Sequence, residues 1–383
     1  LDQAQVSFWG EATSFGANVV AEDLDGDGDI DVAAGRVEGA PTLYENDGTG
    51  HFAVAPAPFD DVVLTLGPSG GFGVVDLDAD AVVDLVFVGP GRVWWARGTG
   101  DLGYAPPVTL YADEGDTVPY YVSFAAGDVD GDGATDLVVP GLDWVSASLD
   151  TPADPDAMGR ASVHLVLYAR DGSWEAVALN PDAPGFSMLA ATTDRDRDGD
   201  QDVLVSADRL YLPDWPAPQA FYRNDDGVLV DDAAEVHADL LVAGMGIDVL
   251  DLNHDGWPDY CITDTGPVRC LQSDGAGGYA EAGTALGFTP AVMGEGKVWV
   301  GWSIELADLD NDGWPDAAAA GGNEVHPRMV WPAWSDGVPP ADDSRESWAD
   351  VLWQGGEDGF VDVGADVGFD DEASHYGLAA ADL

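Results

Sequence analysis

Short apolar runs, not helical stripes, organise this chain. Segments such as "ANVVAEDL", "GFGVVDL" and "SFAAGDV" each lead into an acidic stretch, and "DVAAG", "DLVFVG", "DLVVPG" and "DVLVSA" each leave one. They are four to six residues long, rich in Val, bounded by Gly, and apolar at consecutive positions. Consecutive apolarity in so short a strand means burial on both faces. Further along, "TLYENDGTGHFAVA", "RVWWARGTGDLGYAPP" and "RCLQSDGAGGYAEA" each read as two strands joined by an Asp/Gly turn. No apolar spacing of helical period occurs, so the pattern predicts an all-β chain.

The acidic stretches are copies of one another. "DLDGDGDID" at Asp23 recurs as "DLDADAVVD" at Asp76, "DVDGDGATD" at Asp128, "DRDRDGDQD" at Asp194, "DLNHDGWPD" at Asp251 and "DLDNDGWPD" at Asp308, and a seventh begins at Asp382. Successive starts lie 53, 52, 66, 57, 57 and 74 residues apart. That is the size of a four-stranded propeller blade with loop insertions. The expectation is one domain over residues 1–383: a seven-bladed β-propeller of four-stranded antiparallel blades, the seventh incomplete in this chain. Gln5–Trp9, "QVSFW", is expected to serve as the outer strand of that seventh blade, and the natural protein to continue beyond Leu383.

Phe15-Gly16 before the first acidic loop, Gly39-Ala40-Pro41 after it, and Phe72-Gly73 before the second complete a pattern that resembles the FG-GAP/VCBS repeat family. These are the propellers of integrin α-subunit heads and of many bacterial surface proteins, and "NDGWPD" looks most like the bacterial secreted type. The resemblance implies a secreted or cell-surface protein, with the periplasm as an alternative, that binds a protein or glycan.

Each loop reads D-x-[DN]-x-D-G-x-x-D. Carboxylates at positions 1, 3 and 5 converge in a tight turn, the carbonyl of position 7 joins them, and position 9 closes the shell. Such hard oxygen donors suit Ca²⁺ better than Mg²⁺, which keeps waters in an octahedral shell; no Cys/His cluster supports zinc. An EF-hand is excluded, because its twelfth position needs Glu and these loops have Ala34, Phe87, Val139, Val205, Ile262 and Ala319. In FG-GAP proteins the matching positions hold calcium. The resemblance carries that role onto Asp23, Asp25, Asp27 and Asp31 with Asp29; Asp128, Asp130, Asp132 and Asp136 with Ala134; and Asp194, Asp196, Asp198 and Asp202 with Asp200. It does the same for Asp251, Asn253, Asp255 and Asp259 with Trp257, and for Asp308, Asp310, Asp312 and Asp316 with Trp314. The second loop has Asp76, Asp78, Asp80 and Asp84 with Val82, but Ala81 replaces the glycine of position 6. A left-handed Ala costs about 1–2 kcal/mol, so this sixth site is expected to be the weakest. The alternative for all of them is an Asp-rich turn satisfied by its own backbone.

A net charge of −59 with only 13 Lys and Arg argues against nucleic acid and anionic membrane surfaces. Six divalent ions would bring −59 only to −47, so the remaining acidity suits a saline habitat, a cationic partner or simply a solvated surface. No apolar run is long enough for a membrane span. The two cysteines, Cys261 and Cys270, flank a Thr-Gly-Pro turn and would meet across a hairpin, either as a disulfide or as two buried thiols. A disulfide would imply an oxidising compartment.

Where each acidic loop joins strand A to strand B of a blade, the long insertions near Leu142–Arg160, Tyr211–Gln219 and Asn323–Asp350 fall in B–C connections at the opposite end. The last carries Trp331, Trp334 and Trp348, a possible ligand face, or else aromatics that pack between blades. Enzyme chemistry finds no footing. Gly67-Pro68-Ser69-Gly70-Gly71 matches G-x-S-x-G but enters a strand with no helix behind it, and the six His are scattered. The runner-up reading is a polysaccharide-active propeller, and a structural subunit of an extracellular assembly comes third.

Overall fold

A computed structural model describes residues 19–35, 40–56, 71–114, 118–142, 162–179, 186–208, 219–289, 299–322, 349–370, 375 and 377–381. Six of their seven antiparallel sheets are blades of a β-propeller, and the seventh is a small two-stranded hairpin. Blade 1 comprises Val19–Glu22, Asp31–Ala34, Thr42–Asn46 and Phe52–Val54; blade 2 comprises Gly71–Val75, Asp84–Gly89, Arg92–Ala96 and Val108–Ala112. In blade 3 the A strand is split into Tyr120–Tyr121 and Ala125–Gly127, both pairing with Asp136–Leu142, followed by Ser162–Arg170 and Ser173–Ala178. Blade 4 is Phe186–Thr193, Asp202–Asp208, Ala220–Asp225 and Val228–Asp231. Blade 5 is Ile247–Leu250, Asp259–Ile262, Arg269–Ser273 and Tyr279–Glu281, and blade 6 is Gly301–Ala307, Asp316–Gly321, Val351–Gln354 and Val361–Asp362.

The consecutive apolar runs are buried on both faces, as their pattern requires. Every residue of Asp84–Gly89, Asp202–Asp208 and Asp316–Gly321 is buried. The burial is inter-blade, since each apolar cluster draws on neighbouring sheets. Leu24, Leu43, Leu85 and Phe87 join blades 1 and 2; Val88, Tyr121, Val139 and Leu165 join 2 and 3. Val138, Val166, Val203 and Tyr222 join 3 and 4; Leu204, Phe221, Ile247 and Tyr260 join 4 and 5; Cys261, Ile304, Ala319 and Trp353 join 5 and 6. Fully burying one such side chain contributes about 1.5–3 kcal/mol, and no blade could supply that partner surface to itself. The A strands also meet side by side: Thr192 Oγ1 donates to the Ala126 carbonyl at 2.7 Å, and the Leu306 amide donates to Asp248 at 2.7 Å.

Three expectations meet a different outcome. Six blades are found among the described residues, and a seventh is not confirmed: residues 377–381, expected to lead into its acidic loop, form no strand. The Gln5–Trp9 segment lies outside the described residues, as do Phe15-Gly16, Gly39 and residues 67–70. Second, "RVWWARGTGDLGYAPP" is not one C–D hairpin. A small extra hairpin, Gly98–Gly100 with Gly103–Tyr104, is set between strands C and D, and the D strand comes later, at Val108–Ala112. Its Asp101-Leu102 turn takes positive φ at both residues and buries Leu102 against blade 1. Third, two single helical turns, Gly283–Leu286 and Gly364–Val367, follow the D strands of blades 5 and 6. Each ends on a left-handed glycine before a phenylalanine, Gly287-Phe288 and Gly368-Phe369; that shared Gly-Phe ending was the available signal.

The disulfide between Cys261 and Cys270 is formed, the two residues standing directly opposite each other in strands B and C of blade 5. All three long insertions do lie between strands B and C, in blades 3, 4 and 6. Trp331, Trp334 and Trp348 fall outside the described residues. No helix among the described residues is long and apolar enough to cross a membrane.

Candidate metal centre

Every acidic stretch forms the A–B connection of its blade, with position 9 as the first residue of strand B. There the aspartate is held by two backbone amides. In loop 5, Asp259 Oδ2 accepts from the Leu252 amide at 3.0 Å and Oδ1 from the Ser273 amide of strand C at 2.8 Å. The same pair of bonds recurs at Asp31 (Leu24, Asn46), Asp84 (Leu77, Gly98), Asp136 (Val129, Ala169), Asp202 (Arg195, Asn224) and Asp316 (Leu309, Gly355). One carboxylate thus fastens the loop to two strands. Sequence reasoning assigned these six residues to the ion alone and missed the clamp, which only the pairing of strands B and C reveals.

Position 1 shapes the turn itself. Its two oxygens accept the amides of positions 5 and 6, as Asp251 does from Asp255 at 3.1 Å and Gly256 at 2.8 Å. Asp23, Asp76, Asp128, Asp194 and Asp308 repeat the arrangement. Position 5 accepts the position 7 amide in turn: Asp27 from Asp29, Asp80 from Val82, Asp132 from Ala134, Asp198 from Asp200, Asp255 from Trp257 and Asp312 from Trp314. The backbone therefore does satisfy part of each carboxylate, as the alternative reading holds. A carboxylate has about four lone-pair sites, however, and one or two bonds leave room for a cation.

Two left-handed residues make the turn possible. Position 6 has φ between +66° at Ala81 and +103° at Gly199, and position 4 is left-handed as well, even where it is Ala79, Arg197, His254 or Asn311. The loop motif flagged the first and not the second.

Carboxylates gather three at a time in five of the loops, positions 1, 3 and 5 in loop 1 and positions 1, 3 and 9 in loops 2, 3, 4 and 6. Oxygens of Asp23, Asp25 and Asp27 lie within 4.8 Å of one another, as do those of Asp76, Asp78 and Asp84; Asp128, Asp130 and Asp136; Asp194, Asp196 and Asp202; and Asp308, Asp310 and Asp316. Loop 5 offers Asn253 in place of the third carboxylate; its amide nitrogen donates to Asp255 at 2.9 Å. Burial pushes the carboxyls of Asp136 and Asp259 up to about 6 and that of Asp202 up to about 7. Burial raises Asp31, Asp84 and Asp196 too, each with like-charged neighbours adding to the effect. Such shifts reflect first the burial of an ionised carboxyl, with the crowding of like charges second. In loop 4, moreover, Asp196 Oδ1 is buried with no hydrogen-bond partner. A buried acceptor left unbonded costs about 1–3 kcal/mol, and a hard cation ligated there would remove that cost. The residues present fit a divalent, oxygen-seeking ion, with positions 1 and 3 and either 5 or 9 to hold it.

Loops also touch across blades. Arg197, position 4 of loop 4, lies over the ring of Trp257, position 7 of loop 5, and His254 of loop 5 stacks on Trp314 of loop 6 with centroids 4.8 Å apart. The loop motif assigned Trp257 and Trp314 only a carbonyl role, whereas their side chains link neighbouring loops.

Comparison with known proteins agrees with this geometry. A family model described as FG-GAP-like repeat matches residues 23–87, 76–139 and 251–319, each match spanning from one acidic loop into strand B beyond the next. No curated protein matches the chain. Among solved structures, one of an Agrocybe aegerita lectin, described as specifically recognising non-reducing terminal N-acetylglucosamine, aligns over 90% of this chain and 79% of its own at 15% identity, TM-score 0.55. A BBS1N structure in complex with ARL6DN aligns over 90% of this chain and 89% of its own at 10% identity, TM-score 0.43. At 15% identity the likeness to the lectin is one of fold.

Proposed function

Because the chain carries FG-GAP-like repeats, we propose that it is a calcium-binding propeller that works as a binding or adhesion module outside the cell rather than as an enzyme. The observation that carries the metal reading is the convergence of carboxylate oxygens within 4.8 Å in repeated loops, one of them holding the orphaned Asp196 Oδ1. Calcium supplies counter-charge there, and the chain's own residues supply its shell; the ion ties each A–B connection closed at one end of the ring. The Cys261–Cys270 disulfide favours an oxidising compartment.

The ligand, a protein or a glycan, is taken on the opposite face, where the insertions between strands B and C of blades 3, 4 and 6 emerge. Insertions concentrated on one end of a rigid ring are where recognition is usually built. Since the lectin in the comparison recognises terminal N-acetylglucosamine, glycans ending in that sugar head the screen. Retention of glycans and of surface-protein extracts is measured with calcium and with EDTA, alongside thermal melting. The expected result is a melting temperature that rises with calcium and calcium-dependent retention of a ligand without chemical change. Release of new reducing ends would instead make the protein a polysaccharide-active enzyme, and a melting temperature indifferent to EDTA would remove the metal.

A further inference from the structure

Loop 2 differs from the other acidic loops in two independent ways. Its fourth and sixth residues are Ala79 and Ala81, held at φ +57° and +66°, where no other loop lacks glycine at position 6. A left-handed alanine is strained where glycine is not, so this loop holds its shape against more backbone strain than the rest. The second difference is a cation from the chain itself. Arg97 follows strand C, directly beyond the Leu85–Ala96 pair, and forks across the loop: Nε meets Asp78 Oδ2 at 2.5 Å and Nη2 meets Asp80 Oδ2 at 2.5 Å.

Positions 3 and 5 are the two whose second oxygens the backbone leaves free. In loop 2 the guanidinium takes both at once, through two different nitrogens, and Arg97 has no other acidic partner among the described ion pairs. Loop 3 makes the contrast. Arg170 reaches Asp130 and Asp132 through one nitrogen only, while its Nε turns to Glu175 at 3.5 Å, and Gly131 and Gly133 leave its loop unstrained. In loop 4, Arg197 stands over Trp257 instead, and Arg195 pairs through Nη2 with Asp232 at 2.5 Å, its Nε 3.9 Å from Asp202 at position 9.

We propose that loop 2 is neutralised by the chain: Arg97 fills, as a tethered monocation, the place a divalent ion takes in the other five loops, and loop 2 holds no calcium at concentrations that fill them. The inference rests on the calcium reading of those five. A tethered guanidinium competes at high effective concentration and lowers the loop's net charge, the quantity that sets calcium affinity. Its two nitrogens each take one oxygen of a different carboxylate, so a divalent ion must displace both contacts at once to enter by that side.

The test locates ions directly. Crystals of the intact chain grown in millimolar calcium are examined by anomalous scattering, and bound calcium per chain is counted by equilibrium dialysis. The expected result is ions in five loops, none in loop 2, and a count of about five, with the R97A/A81G variant gaining one ion, seated in loop 2. R97A alone, a change at a half-exposed side chain, guards against misfolding of the double variant and should show the same gain with weaker affinity. An ion in loop 2 of the unmodified chain, with Arg97 swung away, would overturn the inference and leave the calcium reading intact. A chain with no ion in any loop would sink both.

Discussion

The guanidinium of Arg197 lies 4.9 Å from the ring centroid of Trp257, so the fourth residue of one acidic loop rests on the seventh residue of the next. His254 and Trp314 repeat the relation one blade further on. Left-handed backbone at position 4 is what turns these side chains out of their own loop and towards the neighbour. A cation on an indole face contributes about 0.5–1 kcal/mol at half-exposed sites. Trp257→Ala and Arg197→Ala should therefore show a coupling of about that size in a double-mutant cycle by denaturant unfolding. Strict additivity would mean the stack carries no energy.

The clamp at position 9 predicts a larger effect. Asp259→Ala strips an acceptor from two buried amides, those of Leu252 and Ser273. Leaving both unbonded should cost about 2–4 kcal/mol, even with calcium absent. Asp259→Asn keeps one acceptor oxygen and should lose about half as much. If EDTA-treated protein were no less stable after Asp259→Ala, the residue would serve the ion alone.

The disulfide joins strands B and C of blade 5 inside the cluster shared with blade 6. Closing so short a loop restrains the unfolded chain by about 3 kcal/mol. The double substitution Cys261→Ala/Cys270→Ala should lower the unfolding free energy by about that amount, and a reductant should then have no further effect on the variant. An unchanged unfolding midpoint would show the bond to be dispensable.

His164 gives the fold a measurable pH dependence. Its ring lies buried between blades 3 and 4, Nδ1 at 2.6 Å from the Tyr222 hydroxyl and Nε2 at 2.7 Å from Ser187 Oγ, and burial lowers its pKa to about 4. Both nitrogens meet hydroxyls, which can complement the neutral ring. The unfolded chain takes up this proton near 6.5, so between about 6.5 and 4 it binds more protons than the folded chain. Stability must therefore fall as pH falls through that window, by about 3 kcal/mol in all, with the full contribution present above it. His164→Gln should remove this slope from the pH profile of unfolding. A titration of the His164 ring by NMR with a midpoint near 6.5 in folded protein would contradict the account.

Much of this was readable in the residues. Consecutive Val-rich runs could only be strands covered on both faces, and the six acidic repeats set both the blade length and the A–B position of each loop. Cys261 and Cys270 were placed by the turn between them. Six of the seven expected blades are found, each with its acidic loop between two paired strands, whereas residues 377–381 form no strand that would begin a seventh. Trp257 and Trp314 show the other kind of miss: a loop written as a ligand list says nothing about where position 7 sends its side chain.

What the chain determines by itself is local: strand, turn, and the oxygens each turn gathers, since these depend on residues within one repeat. Only the tertiary structure decides that Asp259 holds strand C as well as its own loop, that Arg97 falls across Asp78 and Asp80, and that Arg197 meets the next blade. The first two depend on how strands B and C pair within one blade and the third on how neighbouring blades pack, and neither is written in the residues of the loop itself.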